Sequence, residues 1–250
     1  DLDPSRPWAQ PYFNAISGVG VEELYFNGAG HTDPRRQEMA EKIGQEKPVL
    51  VSELVNDAAL IDSARRTCRR KDFLCFVRDP FNYDYSRIPP LQDTNERPVH
   101  RLEEAANYLY LINYDSFTSV DELVQRLAAT TYDLLLIEPF FHDTLLSPAQ
   151  VHALQRKPNG ARRLVIAYVN IGAAEQWRYY WQADWKVGRP SWLKKPYRGY
   201  PDEIWVEFWH PEWQAILWGN DSAYIKRVVD AGFDGAYLDN VEAYYFLYHD

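Results

Sequence analysis

The chain has 250 residues, 46% of them hydrophobic and 25% charged, with a formal net charge of -9 and a pI near 5.2. That length and apolar content supply a core for one large barrel or two small domains. The acidic balance argues against a nucleic-acid partner, which would meet a basic face; it mildly favours a neutral or cationic ligand, and ordinary solubility is the plainer reading.

Residues 1–14 are rich in Pro and polar side chains and read as an irregular entry. Ile16 to Phe26 is a strand candidate that carries the acidic pair Glu22 and Glu23, and two such acids in an apolar strand are costly unless they line a cavity. Asn27-Gly28-Ala29-Gly30 closes it, and Asp33-Pro34 opens a helix to about Gln45. Val49 to Val55 is a second strand, Asn56-Asp57 starts a helix whose end is basic, and Phe73 to Val77 is a third strand. Strands alternating with helices imply a parallel sheet with helices outside.

Residues 81–106 contain Pro89-Pro90 and Pro98, lack periodicity, and read as a linker or wrapped loop. The alternation resumes with a strand from Tyr108 to Ile112, followed by Asn113-Tyr114-Asp115. A helix from Ser119 to Ala129 has Ser119 as cap and Glu122 at the capping-box position. Leu134 to Ile137 is an apolar strand with Glu138 at its exit, Ser147-Pro148 opens a helix, and Leu164 to Ile171 is a strand. Ile204 to Phe208 alternates enough for a strand or an extended site segment; Pro211 and Glu212 begin a helical turn, and Ala223 to Ala231 is a helix. Gly232 stops it, and a buried strand through Tyr237 and Leu238 ends in Asp239, Asn240 and Glu242. The chain closes on the aromatic run Tyr244 to Tyr248.

Seven strands thus exit into loops, one short of an eight-stranded α/β barrel, which keeps its chemistry at the carboxyl ends of its strands. Asp239 is therefore the first catalytic candidate, and Asp115, Glu138 and Glu175 also stand at or just past strand exits. Eight of the nine Trp residues lie between Trp177 and Trp218. Flat rings stack on sugar faces, so this block reads as a carbohydrate cleft or as an aromatic subcore. Cys68 and Cys75 are the only cysteines and read as free buried thiols, with pairing left open. The six His are scattered, so no metal site is expected. No cofactor fingerprint is present, no apolar run reaches the roughly 18 residues of a membrane span, and the acidic start at Asp1 does not read as a signal peptide.

Val169 to Arg178, then Trp185 and Trp192, Val206-Glu207-Phe208-Trp209 with Pro211 and Trp213, and Gly232 to Glu242 resemble glycoside hydrolase family 114, the endo-α-1,4-polygalactosaminidases and their bacterial relatives. Residues 107–250 resemble the amino-terminal half of that family, and residues 1–80, through Gly18 to Asn27, Lys47 to Glu53 and Phe73 to Asp79, its carboxyl-terminal half. The resemblance implies a single circularly permuted (β/α)8 TIM-barrel-like domain over residues 1–250, joined through 81–106 and short of one strand–helix unit.

Glycosidases commonly flank the scissile bond with two carboxyl groups. The resemblance implies Asp239 as nucleophile or electrostatic stabiliser and Glu22 as general acid/base. Glu23 is the alternative, because strand geometry sends neighbours to opposite faces. Tyr168, Glu175, Arg178, Trp177, Trp209, Glu242, Asp115 and Glu138 are implied to bind or orient substrate, while Asp234 and Asn240 read as structural. Ala173 stands where the family pattern has an acid. The implied partner is a galactosamine-containing polysaccharide, cleaved without metal in a secreted or periplasmic setting, and the rival reading is a catalytically silent sugar-binding barrel or an interaction module.

Overall fold

A computed structural model describes residues 3–91 and 94–249. The chain divides into two compact units, Asp1–Ile137 with Ala153–Val165, and Glu138–His152 with Ile166–Asp250. It is a mixed α/β protein with parallel sheets.

In the first unit, β1 (Val19–Asn27), β2 (Val49–Leu54) and β3 (Leu74–Arg78) pair in parallel in that order. β4 (Tyr108–Leu111) pairs in parallel with β5 (Leu134–Ile137). Every residue of β2, β4 and β5 is buried, the condition that lets a parallel strand read as a continuous apolar run. Its helices are α1 (Gln10–Ala15), α2 (Pro34–Gly44), α3 (Ile61–Arg69) and α4 (Val120–Ala128). The Asp33 carboxylate accepts from Arg35 N, and Pro34 fills the first turn of α2, where its missing N–H costs nothing.

The Ser119 hydroxyl accepts from Glu122 N at 3.2 Å, as expected. Glu122 reaches back one residue further than a capping box requires, to Thr118 N at 2.9 Å. The aperiodic segment after β3 is anchored by the buried pair Lys157–Asp133 at 2.5 Å. Lys157 Nζ also donates to the Asn95 and Arg97 carbonyls, and Asp133 accepts from Asn95 and from Ala106 N.

In the second unit, β6 (Phe140–Phe141) and β7 (Thr144–Leu145) form a short hairpin, and β8 (Leu164–Asn170) pairs in parallel with β12 (Gly235–Asp239). Between them β9 (Ala173–Glu175), β10 (Leu193–Tyr197) and β11 (Tyr200–Val206) make an antiparallel sheet in the order β10-β11-β9. The helices are α5 (Pro148–Leu154), which runs into the first unit, then α6 (Pro211–Leu217), α7 (Tyr224–Asp230) and α8 (Ala243–Tyr248). Gly232, at φ 87°, ends the turn after α7 in the left-handed region that glycine adopts without strain.

The seven expected strands all form, and their pairings are parallel. Three expectations need correction, the first being the entry read as irregular over residues 1–14, where Pro7–Ala9 forms a 3-10 turn that runs into α1. The segment expected from Ile204 starts at Tyr200 and acquires partners on both sides. Gly172-Ala173-Ala174-Glu175 has weak strand propensity, and Pro196 confines β10 to an edge, so neither partner announced itself. β12 is also not buried throughout: Ala236 and Leu238 are exposed while Gly235, Tyr237 and Asp239 are half-buried.

Candidate active site

The Asp239 cluster is built from two short strand motifs, Tyr168-Val169-Asn170 on β8 and Tyr237-Leu238-Asp239 on β12. Tyr237 pairs with Tyr168 and Asp239 with Asn170, so period-two geometry puts all four side chains on one face. The Tyr168 and Tyr237 rings stack at 6.4 Å, and Tyr168 OH donates to Asp239 Oδ2 at 2.5 Å. Beyond Asp239 the backbone turns left-handed at Asn240, φ 58°, a conformation Asn tolerates. The turn brings the Asn240 carbonyl so close to Gly172 that a Cβ there would lie 2.1 Å from it; only glycine fits.

Asn170 links this pair to a further acid. Its Oδ1 accepts from Ala173 N at 2.9 Å and Asn240 Nδ2 at 3.0 Å. Two donors on the oxygen leave the amide nitrogen for Glu203 Oε2, at 3.0 Å. Asn240 Oδ1 in turn accepts from Tyr197 OH at 3.3 Å.

Arg178 organises the other two acids of this unit. It holds Glu138 bidentately at 2.5 and 2.8 Å and Glu175 at 2.5 and 3.2 Å, all three groups being largely buried. The Phe140 and Tyr224 rings flank the guanidinium at 5.6 and 5.5 Å. Arg178 is thereby spent on Glu138 and Glu175, whereas Asp239 and Glu203 are held by a phenol and an amide. Burial raises the Asp239 carboxyl against the opposing bonds from Tyr168 and Asn240 N. Burial, then the nearby Glu175 and Asp239, pushes Glu203 up to about 8, so it carries a proton at neutral pH. Burial raises Glu175 too, against the pull of Arg178.

The first unit holds a separate cluster at the end of β1. Glu22 and Glu23 were expected to point to opposite faces, and the structure corrects this. Arg78 Nη2 lies 2.9 Å from Glu23 Oε1 and 4.0 Å from Glu22 Oε2. Glu23 adopts φ 53°, and the β1–β2 register jumps from Glu22 opposite Ser52 to Asn27 opposite Leu54. The buried Glu53 carboxylate replaces the lost ladder by accepting from Tyr25 N and Phe26 N, both at 3.0 Å. Burial pushes Glu53 up to about 7 in spite of those bonds. Tyr85 OH donates to Glu22 Oε1 at 2.8 Å and lies 2.9 Å from Ser52 Oγ, and the Arg78 guanidinium sits 4.5 Å over its ring.

The remaining candidates differ in exposure. Asp115 is exposed after β4, and Glu242 is exposed at the start of α8. Trp177 and Trp209 are 47% and 39% exposed, Trp209 stacking on Tyr248. The aromatic block is divided. Trp192, Trp205 and Trp213 are buried, and Trp181, Trp185, Trp192 and Trp213 make successive ring contacts at 4.9 to 5.4 Å, whereas Trp177, Trp209 and Trp218 are exposed. Asn240 is a buried structural hub, as the sequence implied. Among the described residues no group of three or more His, Cys, Asp or Glu is disposed to hold a metal, and no helix is long and apolar enough to cross a membrane.

Sequence reasoning missed Glu203 and Tyr85. Glu203 follows Asp202 in a segment without clear period, and the available signal was the apolar run Ile204 to Val206 that draws it inward. Tyr85 lies in the aperiodic segment, where nothing in the local pattern distinguishes it from Tyr83.

Residues 131–250 match glycoside-hydrolase family GH114. An uncharacterized protein of Deinococcus radiodurans is 40% identical over 114 residues, 45% of this chain and 34% of that protein. One from Thermotoga maritima is 39% identical over 79 residues, and one from Methanocaldococcus jannaschii 36% over 84 residues. These matches cover 32% and 34% of this chain and 23% of each of those two relatives. The chain thus spans about a third or less of the curated relatives it matches.

Proposed function

We propose, taking the GH114 match of residues 131–250 as premise, that this protein is a glycosidase cleaving a galactosamine-containing polysaccharide with Asp239 as nucleophile or electrostatic stabiliser. The observation that carries the reading is Asp239 itself, at the carboxyl end of β12 and fixed by Tyr168 OH at 2.5 Å, with no ion pair among the described residues. Its cluster holds Glu138, Glu175 and Asp239 beside Arg178, a surplus of acid over base that suits the ammonium groups of an amino-sugar chain.

The reaction needs an acid to protonate the leaving glycosidic oxygen and a carboxylate to stabilise or attack the oxocarbenium-like centre. Glu22 is assigned the acid/base role on the family resemblance, with Glu23 beside it. Glu203 is a second candidate for the proton donor, because a general acid must still hold its proton at working pH and Glu203 does so up to about 8. Neither role calls on a metal. The permuted order, with residues 1–80 as the family's carboxyl-terminal half in a barrel-like domain, and a secreted or periplasmic setting belong to the same proposal.

The rival reading, sugar binding without turnover, is favoured by Ala173, which lies fully buried against Trp205 and Ala243 where the family pattern has an acid. One assay separates the two. Partially deacetylated polygalactosamine is incubated with wild type and with Asp239→Asn, Glu22→Gln and Glu203→Gln, and both released reducing ends and binding are measured. Turnover in wild type that Asp239→Asn abolishes supports the enzyme, and tight binding without turnover in wild type supports the silent protein.

A further inference from the structure

The two cysteines lie in the first unit, away in sequence from every residue given a catalytic role. On α3, Ala64 and Cys68 are four residues apart, so both lie on its inner face, and both are fully buried. The chain then turns back through Asp72, at φ 54°, into β3, whose second residue is Cys75. Cys68 belongs to the apolar cluster of Val49, Val51 and Phe73, and Cys75 packs against that cluster from its edge. The Cys75 thiol donates to the Ala64 carbonyl at 4.0 Å, one helical turn before Cys68 on the same face of α3. Both are free thiols, and the sequence contains no third cysteine.

Their exposure differs in a way that sets an order of reaction. Cys75 is half-buried and lines a cavity of about 480 Å³ with Phe73, Leu74, Arg65 and Arg69. Cys68 is fully buried. We propose that Cys75 and Cys68 form an oxidisable dithiol, in which a small peroxide entering the cavity oxidises Cys75 and Cys68 then closes an intramolecular disulfide between α3 and β3.

The Cys75 sulfur attacks one peroxide oxygen; the O–O bond breaks, and the departing hydroxide takes up the thiol's proton as water. The product is a sulfenic acid on Cys75. The Cys68 sulfur then attacks that sulfur, an S–S bond forms, and the displaced hydroxide leaves as water with the Cys68 proton. In balance, two thiols and one peroxide give one disulfide and two waters. Cys75 lines the cavity and Cys68 is fully buried, so Cys75 is the sulfur that a peroxide in the cavity meets first.

The test is exposure of the native protein to hydrogen peroxide, followed by intact mass, thiol counting and peptide mapping, with and without dimedone as a sulfenic-acid trap. The expected result is a loss of about 2 Da, no titratable thiol, a Cys68–Cys75 cross-linked peptide, and full reversal by dithiothreitol. Isolation of the protein already carrying that bond supports the proposal equally. In Cys68→Ser the same treatment yields a dimedone adduct at Cys75, and in Cys75→Ser the remaining thiol stays unmodified. Wild-type thiols that survive peroxide in the folded protein overturn the proposal. So does a dimedone adduct or sulfinic acid accumulating at Cys75 of wild type, or a disulfide formed between chains. Each wild-type readout decides the matter even if neither serine variant folds.

Discussion

Each unit gathers carboxylates around one arginine, and the two arrangements differ in what the arginine leaves over. In the first, Arg78 is almost fully buried while Glu23 and Glu22 remain 30% and 46% exposed, so water shares the task of solvating them. In the second, Arg178, Glu175 and Glu138 are all withdrawn from solvent, at 4%, 3% and 12% exposure, and the arginine is fully committed. Among the described residues, the remaining acids there, Asp239 and Glu203, accept side-chain hydrogen bonds from a phenol and an amide. A paired carboxylate is a fixed charge; an unpaired buried one is poised to hold or release a proton. By that criterion Glu203, raised to about 8, is the group placed to hold a proton in the second cluster, as Glu53, raised to about 7, is in the first.

The largest expected effect follows from removing the unpaired charge. Asp239→Asn keeps size and the Tyr168 contact but abolishes the carboxylate, and turnover on partially deacetylated polygalactosamine should fall by about a thousandfold or more, some 4 kcal/mol of transition-state stabilisation. Substrate affinity, measured separately by calorimetry, should be largely retained. A loss confined to affinity would move Asp239 from chemistry to binding and erase the distinction drawn between the clusters.

Exchanging each arginine tests the contrast directly. Arg178→Met strands two buried carboxylates and should cost about 3–5 kcal/mol in denaturant unfolding. Arg78→Met strands two that water can reach, and its cost should be nearer 1 kcal/mol. Equal losses would show that solvent does little for Glu22 and Glu23.

How far these clusters could be read from sequence depends on the range of the forces that build them. The motifs at Tyr168-Val169-Asn170 and Tyr237-Leu238-Asp239 are local alternations, and their pairing follows once both are strands. Glu175 and Arg178 are three residues apart and find each other within one turn of chain. Glu203 could not be placed in this way, because its burial depends on β9 and β10, two short strands of low propensity that form only against β11. Glu22 and Glu23 failed for a similar reason. Alternation forbids their convergence unless the strand breaks, and the break is held by Glu53 from the neighbouring strand, about thirty residues on. Tyr85 reaches Glu22 from an aperiodic segment sixty-three residues away.

Tyr85→Phe offers a smaller test of the first cluster. It deletes one hydroxyl shared by Glu22 and Ser52 while preserving the ring under Arg78. If Glu22 serves as general acid/base, kcat should fall about fivefold to tenfold, the worth of one net hydrogen bond near 1 kcal/mol, with KM little changed. An unchanged kcat beside a lowered unfolding midpoint would confine Tyr85 to holding the fold of its own unit.

The finest test is the pH dependence of stability in Glu203→Gln. In the folded chain Glu203 keeps its proton up to about 8, whereas an unfolded glutamate loses it near 4.5. Between those values the folded state binds more protons than the unfolded one, so stability contributed by this group is complete below about 4.5 and is lost as pH rises through about 8. The slope from one such group cannot exceed about 1.4 kcal/mol per pH unit. Glutamine removes the titration while keeping the amide-to-carbonyl contact with Asn170, so the unfolding midpoint of the variant should decline less steeply from pH 5 to 8 and converge with wild type at the acidic end. Glu53, which titrates near 7 in the other unit, remains in both proteins and cancels in the difference. A variant whose stability profile runs parallel to wild type across that range would mean that Glu203 is already ionised in the fold, and the proton-holding character of the second cluster would then rest on Asp239 alone.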